Sequence, residues 1–120
     1  MSSNFDDLDG LIKQFSIDRD WDQFHTPKNL LVALVAEMGE LSEVVLWKSD
    51  KDLEHYLSSS EGKEKISEEI ADVAIYLIRL CQKLDIDLLE IIKSKMDKNN
   101  VKYPVDKSKG NSKKYTELDK

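Results

Sequence analysis

Cysteine and histidine are scarce in this 120-residue chain, which contains one Cys and two His. Cys81 lies on an apolar helical face, so we predict that it packs as a small core residue and that no disulfide framework exists. His25 and His55 lack the ligand spacing of a zinc site. No Ser/His/Asp or Cys/His arrangement indicates a nucleophilic enzyme.

Glycine and long apolar runs are also rare. The four glycines are Gly10, Gly39, Gly62 and Gly110. Because they are not clustered, they form no glycine-rich phosphate loop, and a phosphate would have to be held through a metal and lysine. No apolar run approaches about 18 residues, so we expect no membrane-spanning helix. The N-terminus lacks the basic start and apolar core of a secretory signal, and we expect a cytoplasmic protein.

Acidic residues outnumber basic ones, and the net charge of −6 argues against binding to duplex nucleic acid. Lysines are concentrated toward the C-terminus, with eight of them between positions 93 and 114. A basic segment that follows an acidic site suits a metal-bound polyphosphate, which needs cations on both sides. We predict one catalytic domain over residues 1–104 and a basic, partly flexible tail over residues 105–120.

The apolar spacing predicts an all-α chain, since no alternating strand pattern occurs. Four helices are expected, at about residues 7–19, 27–48, 64–84 and 88–102. Thr26 and Pro27 make a strong helix start, and Asp87 begins the last helix with a sequence like a capping box. Residues 49–63 predict only a short helical turn near residues 53–57, followed by a flexible connection.

Two acidic pairs, Glu37/Glu40 and Glu69/Asp72, lie inside the two most apolar stretches of the chain. Their spacing carries little information, because composition alone gives about five acid-x-x-acid pairs and the chain has six. Their surroundings carry more, since burying a carboxylate costs on the order of several kcal/mol. If the two faces meet, a cation must lie between them, and oxygen ligands favour magnesium or manganese. The alternative is that these acids lie on a solvated face.

Helical spacing assigns the acids to defined faces. One stripe of the second helix carries Leu30, Ala33, Glu37, Glu40, Val44 and Trp47. This helix is apolar on nearly every side, so we expect it to be buried on nearly every side. The apolar stripe of the third helix consists of Ile66, Ile70, Val73, Leu77, Leu80 and Leu84, and it is broadened by Ala71, Ala74, Ile75 and Ile78. Glu69, Asp72 and Tyr76 share the narrow remaining face.

Aromatic side chains lie near the acids in this pattern, namely Trp21, Phe24, Trp47 and Tyr76. A slot with flat apolar sides next to a metal cluster would suit a nucleobase, which stacks on such side chains. The alternative is that these rings belong to the core or to an interface.

Longer stretches of the chain resemble the MazG-like all-α nucleotide pyrophosphohydrolases, and within them the dCTP pyrophosphatases. The matching stretches are RDWDQFHTPKNLLVALVAEMGELSE (residues 19–43), LWK (46–48), EEIADVAIYL (68–77), KMDKNNVKYP (95–104) and KYTEL (114–118). The similarity covers about residues 8–118, almost the whole chain. The combination of motifs is specific, although the bare acidic pairs are not.

The resemblance implies a four-helix core in an obligate homo-oligomer, either a dimer or a tetramer. The implied catalytic residues and magnesium ligands, which manganese could also occupy, are Glu37, Glu40, Glu69 and Asp72. The implied phosphate contacts are Lys95, Asn99, Lys102 and Tyr103. The implied contacts to the base are Trp21, His25, Trp47 and Tyr76. Some relatives carry His where this chain has Ile12, which leaves the base preference open.

The predicted activity is Mg-dependent cleavage of a nucleoside triphosphate, dCTP or a modified dCTP, to the monophosphate and pyrophosphate. Such an activity would serve in the sanitation of nucleotide pools. Two alternatives remain open: a non-catalytic helical oligomerisation module, and a metal-dependent hydrolase of another nucleotide such as dUTP or a signalling nucleotide.

Overall fold

The computed structural model describes residues 4–118, whose regular structure is entirely helical. The α-helices are α1 (Phe5–Asp18), α2 (Pro27–Val45), α3 (Asp50–Ser58), α4 (Ser60–Leu84), α5 (Leu88–Lys102) and α6 (Val105–Ser108). Short 3-10 helices occupy Asp22–Phe24 and Tyr115–Glu117. The predicted all-α class is confirmed for these residues. The described residues form six helices where the sequence predicted four, and the four-helix core remains a prediction.

Polar side chains cap the helix starts, as the sequence indicated. Thr26 Oγ1 accepts a hydrogen bond from the Asn29 amide (3.2 Å), with Pro27 in the first helical position of α2. Asp87 Oδ1 accepts from the Glu90 amide (3.1 Å) at the start of α5. Because each cap satisfies an otherwise unpaired N–H group, these residues determine where the helices begin.

The predicted flexible connection before α4 is wrong. Ser59 ends α3 and also caps α4, where its Oγ accepts from the Gly62 amide (3.1 Å). A Cβ atom at Gly62 would collide with the backbone carbonyl of Tyr56. The glycine therefore permits a close approach of two helices, and its presence does not indicate flexibility.

The predicted end of α2 at about residue 48 is also wrong, since the helix ends at Val45. Lys48 folds back so that its Nζ donates to the Val44 carbonyl (2.7 Å), which satisfies a carbonyl of the last turn. Trp47 has a φ of 66° and is 93% exposed. It therefore lies beyond the helical stripe to which its spacing assigned it.

The described residues form two compact units, which meet in sequence at Asp85 and Ile86. In the first unit α4 is the central helix and contacts α1, α2 and α3. In the second unit the rings of Tyr103 and Tyr115 meet edge to face at 6.1 Å. Lys102 Nζ lies 4.8 Å from the centre of the Tyr115 ring. The division of the chain at residue 104 into a catalytic domain and a tail remains a prediction.

The burial expected for α2 is wrong for the chain as described. Leu30 and Val44 are buried. The neighbouring apolar residues that stay exposed are Leu31, Val32, Val35 and Met38. The only extensive contact that α2 makes in the described part of the chain is with α4, and packing against one helix buries only one stripe.

The packed face of α4 matches the predicted stripe only in part. Its buried residues include Glu69 and Arg79 beside Ile78 and Cys81, so part of the acidic face packs together with apolar residues, and Cys81 is buried as expected. The members of the predicted stripe that are half-buried are Ile66, Val73 and Leu80. The members of the predicted apolar stripe that stay exposed are Ile70, Leu77 and Leu84. Within residues 4–118, none of the helices is both long and apolar enough to cross a membrane.

Candidate metal centre

Four carboxylates converge where α2 packs against α4. One oxygen atom from each of Glu37, Glu40, Glu69 and Asp72 lies within 4.8 Å of the others. A three-residue step places both acids of a pair on one face of a helix. On α2 the buried residues Leu30 and Val44 lie seven residues before and after Glu37, so they hold this face against α4. The packing of the two helices therefore produces the cluster.

The cluster is partly buried and short of hydrogen-bond donors. Glu69 is 7% exposed, and one of its oxygens, Oε2, has no hydrogen-bond partner among the described residues. The same is true of Glu37 Oε2. In this part of the chain the cluster makes one ion pair, in which Lys65 Nζ lies 3.1 Å from Glu69 Oε1. One ammonium group does not balance four carboxylates.

The electrostatics of the cluster show this imbalance. Burial raises the pKa of Glu37 above its ordinary value, and hydrogen bonding with Glu40 and repulsion by the other three carboxylates raise it further. The neighbouring Glu69 raises the pKa of Lys65 in turn. A bare cluster of this kind favours a proton or a cation between its carboxylates.

The donor set fits a hard divalent cation. All four side chains offer oxygen atoms, and the two buried unpartnered oxygens are acceptors that a cation would satisfy. Nitrogen and sulfur ligands, which zinc and copper prefer, are absent from the cluster. The residues therefore can hold a metal ion of the magnesium or manganese type.

A polar cleft of about 470 Å³ adjoins the cluster between α2, α3 and α4. Two carboxylates of the cluster, Glu40 and Glu69, form one side of it, and Lys48, Tyr56 and Lys65 also line it. Lys48 Nζ lies 4.9 Å from the centre of the Tyr56 ring. Lysines beside a metal cluster can contact the anionic oxygens of a phosphate.

The aromatic residues around Trp21 form a second part of the candidate site. Trp21 packs edge-on against Phe15 at 5.8 Å and lies 6.4 Å from His25, measured between ring centres. Trp21 as a whole is 44% exposed. His25 is tied to α4, because its Nδ1 accepts a hydrogen bond from Arg79 Nε (3.0 Å). An indole that packs against one ring and remains partly exposed can stack against another flat ring.

Arg79 is the residue that sequence reasoning undervalued. It was not among the predicted site residues, yet it is 3% exposed and binds both His25 and Asp22. The sequence did contain one indication of its role. Asp72, Tyr76 and Arg79 follow one another at helical spacing, which places Arg79 on the same face as the acids. The contacts with Asp22 and His25 join positions more than 50 residues apart, which spacing cannot reveal.

The remaining predicted site residues have different positions. Tyr76 is half-buried on α4, between Asp72 and Arg79 in sequence. Ile12 is 8% exposed and belongs to the core of the first unit. The predicted phosphate contacts lie on α5 and directly after it in the second unit, namely Lys95, Asn99, Lys102 and Tyr103. Their roles, and that of Trp47 at the base, remain predictions.

Comparison with known proteins gives consistent similarities. The model of the MazG-like family matches residues 32–118. The similar curated proteins are called dCTP pyrophosphatase 1. The protein of Mus musculus is 43% identical over 113 residues, which cover 94% of this chain and 66% of that protein. The protein of Homo sapiens is 42% identical, with the same coverage of both chains. The chain thus spans slightly less than two thirds of these relatives.

A solved structure is similar as well. It is a pyrophosphatase from Archaeoglobus fulgidus, with a TM-score of 0.78 and 38% sequence identity. The alignment covers 87% of this chain and 95% of that one.

Proposed function

This chain belongs to the MazG-like family, and on that premise we propose that it is a Mg-dependent nucleoside triphosphate pyrophosphohydrolase. The reaction cleaves the bond between the α and β phosphates and releases a monophosphate and pyrophosphate. The observation that carries the proposal is the cluster of four carboxylates, in which two buried oxygens have no partner among residues 4–118. Such oxygens need a cation, and a cation is what a triphosphate needs in turn.

The proposed substrate is dCTP or a modified dCTP. Support comes from the names of the relatives from Mus musculus and Homo sapiens, both called dCTP pyrophosphatase 1. The proposed cellular role is the removal of such nucleotides from the precursor pool. In this proposal Trp21, His25, Trp47 and Tyr76 contact the base.

The residues of the cluster hold the ion and position the reacting groups. The chemistry that a bound Mg²⁺ supplies is neutralisation of charge on the leaving pyrophosphate and orientation of the attacking water. Glu37 and Glu40 are the two candidates to accept the proton of that water, since both lie at the cluster. Little covalent chemistry is then required of the protein.

The phosphates lie beside the cluster in this proposal. The polar cleft supports that position, because Lys48 and Lys65 line it next to two carboxylates of the cluster. Further phosphate contacts are proposed from family resemblance for Lys95, Asn99, Lys102 and Tyr103. Lysine ammonium groups would offset the charge of a triphosphate.

We further propose that the protein works as a homo-oligomer, either a dimer or a tetramer. Apolar side chains on two helices of the first unit support this, because they are large and exposed: Leu31, Val32, Val35, Met38, Ile70, Ile75 and Leu77. Large apolar side chains exposed in such number usually mark an interface. Association would bury it, and would add stability to a small chain.

A nucleotide panel with pyrophosphate detection tests the activity. We expect Mg-dependent release of pyrophosphate from dCTP or a 5-modified dCTP by the wild type, and loss of turnover in Glu40→Gln. The matched control is Glu68→Gln, which changes an exposed acid of α4 outside the cluster and should retain full activity. Wild-type rates in Glu40→Gln would contradict the assignment, and release from dUTP alone would change the proposed substrate.

A non-catalytic oligomerisation module is the second candidate, and the exposed apolar faces of α2 and α4 favour it. Thermal denaturation with and without Mg²⁺ plus a non-hydrolysable nucleotide distinguishes the two functions. An enzyme that binds this pair gains stability by mass action, whereas an interaction module shows no shift.

A further inference from the structure

Arg79 is a buried cation at the junction of three segments. It lies on α4 seven residues after Asp72, a distance of about 10 Å along the helix axis. With 3% of its surface exposed, its guanidinium group can be satisfied only by protein groups or by a ligand. Tyr76 lies between Asp72 and Arg79 on the same side of the helix. The residue is therefore far enough from the cluster to serve another part of the site.

The guanidinium group uses all three of its nitrogens. Nε donates to His25 Nδ1 (3.0 Å), Nη1 donates to Gln82 Oε1 (2.8 Å), and Nη2 pairs with Asp22 Oδ1. Asp22 also receives Lys83 Nζ on its other oxygen (3.1 Å). Arg79 and Lys83 thus tie both ends of the Asp22–His25 segment to α4.

The network continues into α1. Gln82 Nε2 donates to the backbone carbonyl and to Oδ1 of Asp9, at 2.9 and 2.8 Å. Ser16, which is 3% exposed, lies with its Oγ 3.4 Å from His25 Nδ1. The segment that carries Trp21 and His25 is therefore fixed between α1 and α4, so its geometry exists before any ligand binds.

The contact with Arg79 determines the tautomer of His25. An arginine guanidinium is always protonated and can only donate, so Nδ1 of His25 must be the acceptor. The ring proton then lies on Nε2, which makes no hydrogen bond to protein in the described part of the chain. His25 therefore offers a donor, and the group that meets it must be an acceptor.

The surroundings also oppose protonation of His25. Burial lowers the pKa of its imidazole, and the positive charges of Arg79 and Lys83 lower it further, while Asp22 acts in the opposite direction. The uncharged groups nearest the ring are Ser16 on α1 and the indole of Trp21. The imidazole is thus held neutral at neutral pH.

We propose that Arg79 is a positioning residue of the nucleotide site, which holds His25 as a neutral Nε2–H donor and anchors the segment that carries Trp21. The proposal rests on the proposed function, in which Trp21 and His25 contact the base. It adds a requirement on the substrate, since a neutral donor beside the Trp21 ring selects a base that presents a carbonyl oxygen or an unprotonated ring nitrogen there. Arg79 itself acts through His25 and Trp21.

The first test needs no substitution. ¹⁵N NMR of the imidazole rings in the wild-type protein distinguishes the two tautomers, with His55 as an internal comparison. We expect His25 to be the Nε2–H tautomer and to titrate below the ordinary histidine pKa of about 6.5. An Nδ1–H tautomer, or protonation at the ordinary pKa, would overturn the proposal. This readout does not depend on catalysis, so it remains informative if the protein proves not to hydrolyse nucleotides.

The second test uses Arg79→Gln and Arg79→Lys in the full-length protein. Both remove the forked contact, and only Lys keeps the charge. We expect KM for the nucleotide to rise by about tenfold, the value of one lost hydrogen bond, while kcat changes less. In Arg79→Gln the acid limb of the kcat/KM profile should move to higher pH, because His25 loses a positive neighbour. In Arg79→Lys that limb should move less.

Other outcomes have clear meanings. A wild-type KM and pH profile in a folded Arg79→Gln variant would overturn the positioning role while leaving the proposed function intact. If the buried substitution prevents folding, Asp22→Asn replaces it, since Asp22 is half-exposed and its loss frees one side of the guanidinium group. We expect a smaller rise of KM in that variant, and an unchanged KM would count against the proposal. If the wild type itself releases no pyrophosphate from any nucleotide, the proposed function is refuted instead.

Discussion

Glu37 and Glu69 meet across the contact between α2 and α4, and each has one buried carboxylate oxygen without a hydrogen-bond partner in residues 4–118. Neither oxygen can satisfy the other while both side chains are ionised, since an ionised carboxylate only accepts hydrogen bonds. Without a cation, the like charges of the two side chains therefore repel each other across the contact between the helices. This relationship makes the stability of the protein depend on metal, on pH and on the charge of these residues.

Replacing Glu37 with Gln should stabilise the metal-free protein. The substitution removes one of four like charges and keeps the shape of the side chain. Two like charges about 4 Å apart repel by about 1 kcal/mol in a well-solvated setting, which gives the scale of the gain. Thermal denaturation in the presence of a chelator measures it, and added Mg²⁺ should stabilise the variant less than the wild type.

The control for this substitution is Glu68→Gln, which changes an exposed acid on the same helix as Glu69 but outside the cluster. Its metal-free stability should stay within about 0.5 kcal/mol of the wild type, and its response to Mg²⁺ should be unchanged. Destabilisation of the metal-free protein by Glu37→Gln would show that the carboxylate is satisfied without a metal.

The sequence predicted the cluster but not its surroundings. A three-residue step within an apolar helix was enough to bring Glu37 and Glu40 to one face and Glu69 and Asp72 to another. Periodicity did not reveal which face of α4 packs, because apolar residues occur on several sides of this helix. Ile70 and Leu77 are exposed while Glu69 is buried, because the helices that contact α4 extensively in the described residues, α1, α2 and α3, do not cover every side of it.

Local rules succeeded where a side chain acts within its own turn. The caps at Thr26 and Asp87 follow from short-range hydrogen bonds and were predicted. The contact between Arg79 and His25 spans 54 positions and depends on how a loop folds back, so no spacing encodes it. The position predicted for Trp47 was wrong for a different reason. The helical spacing was extended to residue 47, although α2 ends at Val45.

Magnesium affinity should fall as the pH falls. The raised pKa of Glu37 means that the folded, metal-free protein retains a proton at a pH where the unfolded chain, with an ordinary value of 4.5, has released it. The stability of the metal-free protein should therefore rise as the pH falls from the raised pKa toward that value. A cation must displace this proton, so binding and protonation compete.

Calorimetric titration with MgCl₂ at about pH 7.5 and about pH 5 measures this competition. We expect weaker binding at the lower pH and proton release on binding, visible as a dependence of the heat on the buffer. The Glu37→Gln variant should show a smaller pH dependence. Equal affinity of the wild type at both values would mean that no cluster carboxylate holds a proton in this range.

Gly62→Ala should destabilise the protein, although alanine usually favours a helix. The added Cβ would collide with the backbone carbonyl of Tyr56, and a backbone atom cannot move aside as a side chain does. Overpacking of this kind costs about 1–3 kcal/mol. Chemical denaturation measures the loss, and the matched control is Gly10→Ala within α1, where a Cβ meets nothing within 4 Å. That control should be neutral or stabilising by up to about 1 kcal/mol, and equal effects of both substitutions would contradict the close approach of α3 and α4.

Val32→Lys should weaken association of the chain. Val32 is 62% exposed on α2 and lies beside the exposed Leu31 and Val35, so it is part of the apolar surface that an oligomer would bury. A lysine there would lose its hydration on association. Burying one unpaired charge costs on the order of several kcal/mol. Light scattering coupled to size exclusion should show a smaller species than the wild type.

Ser112→Lys adds the same charge at an exposed polar position and should leave the size unchanged. A wild type that is already monomeric at micromolar concentration would refute the proposed oligomer, and an unchanged oligomer in Val32→Lys would place the interface elsewhere on the chain.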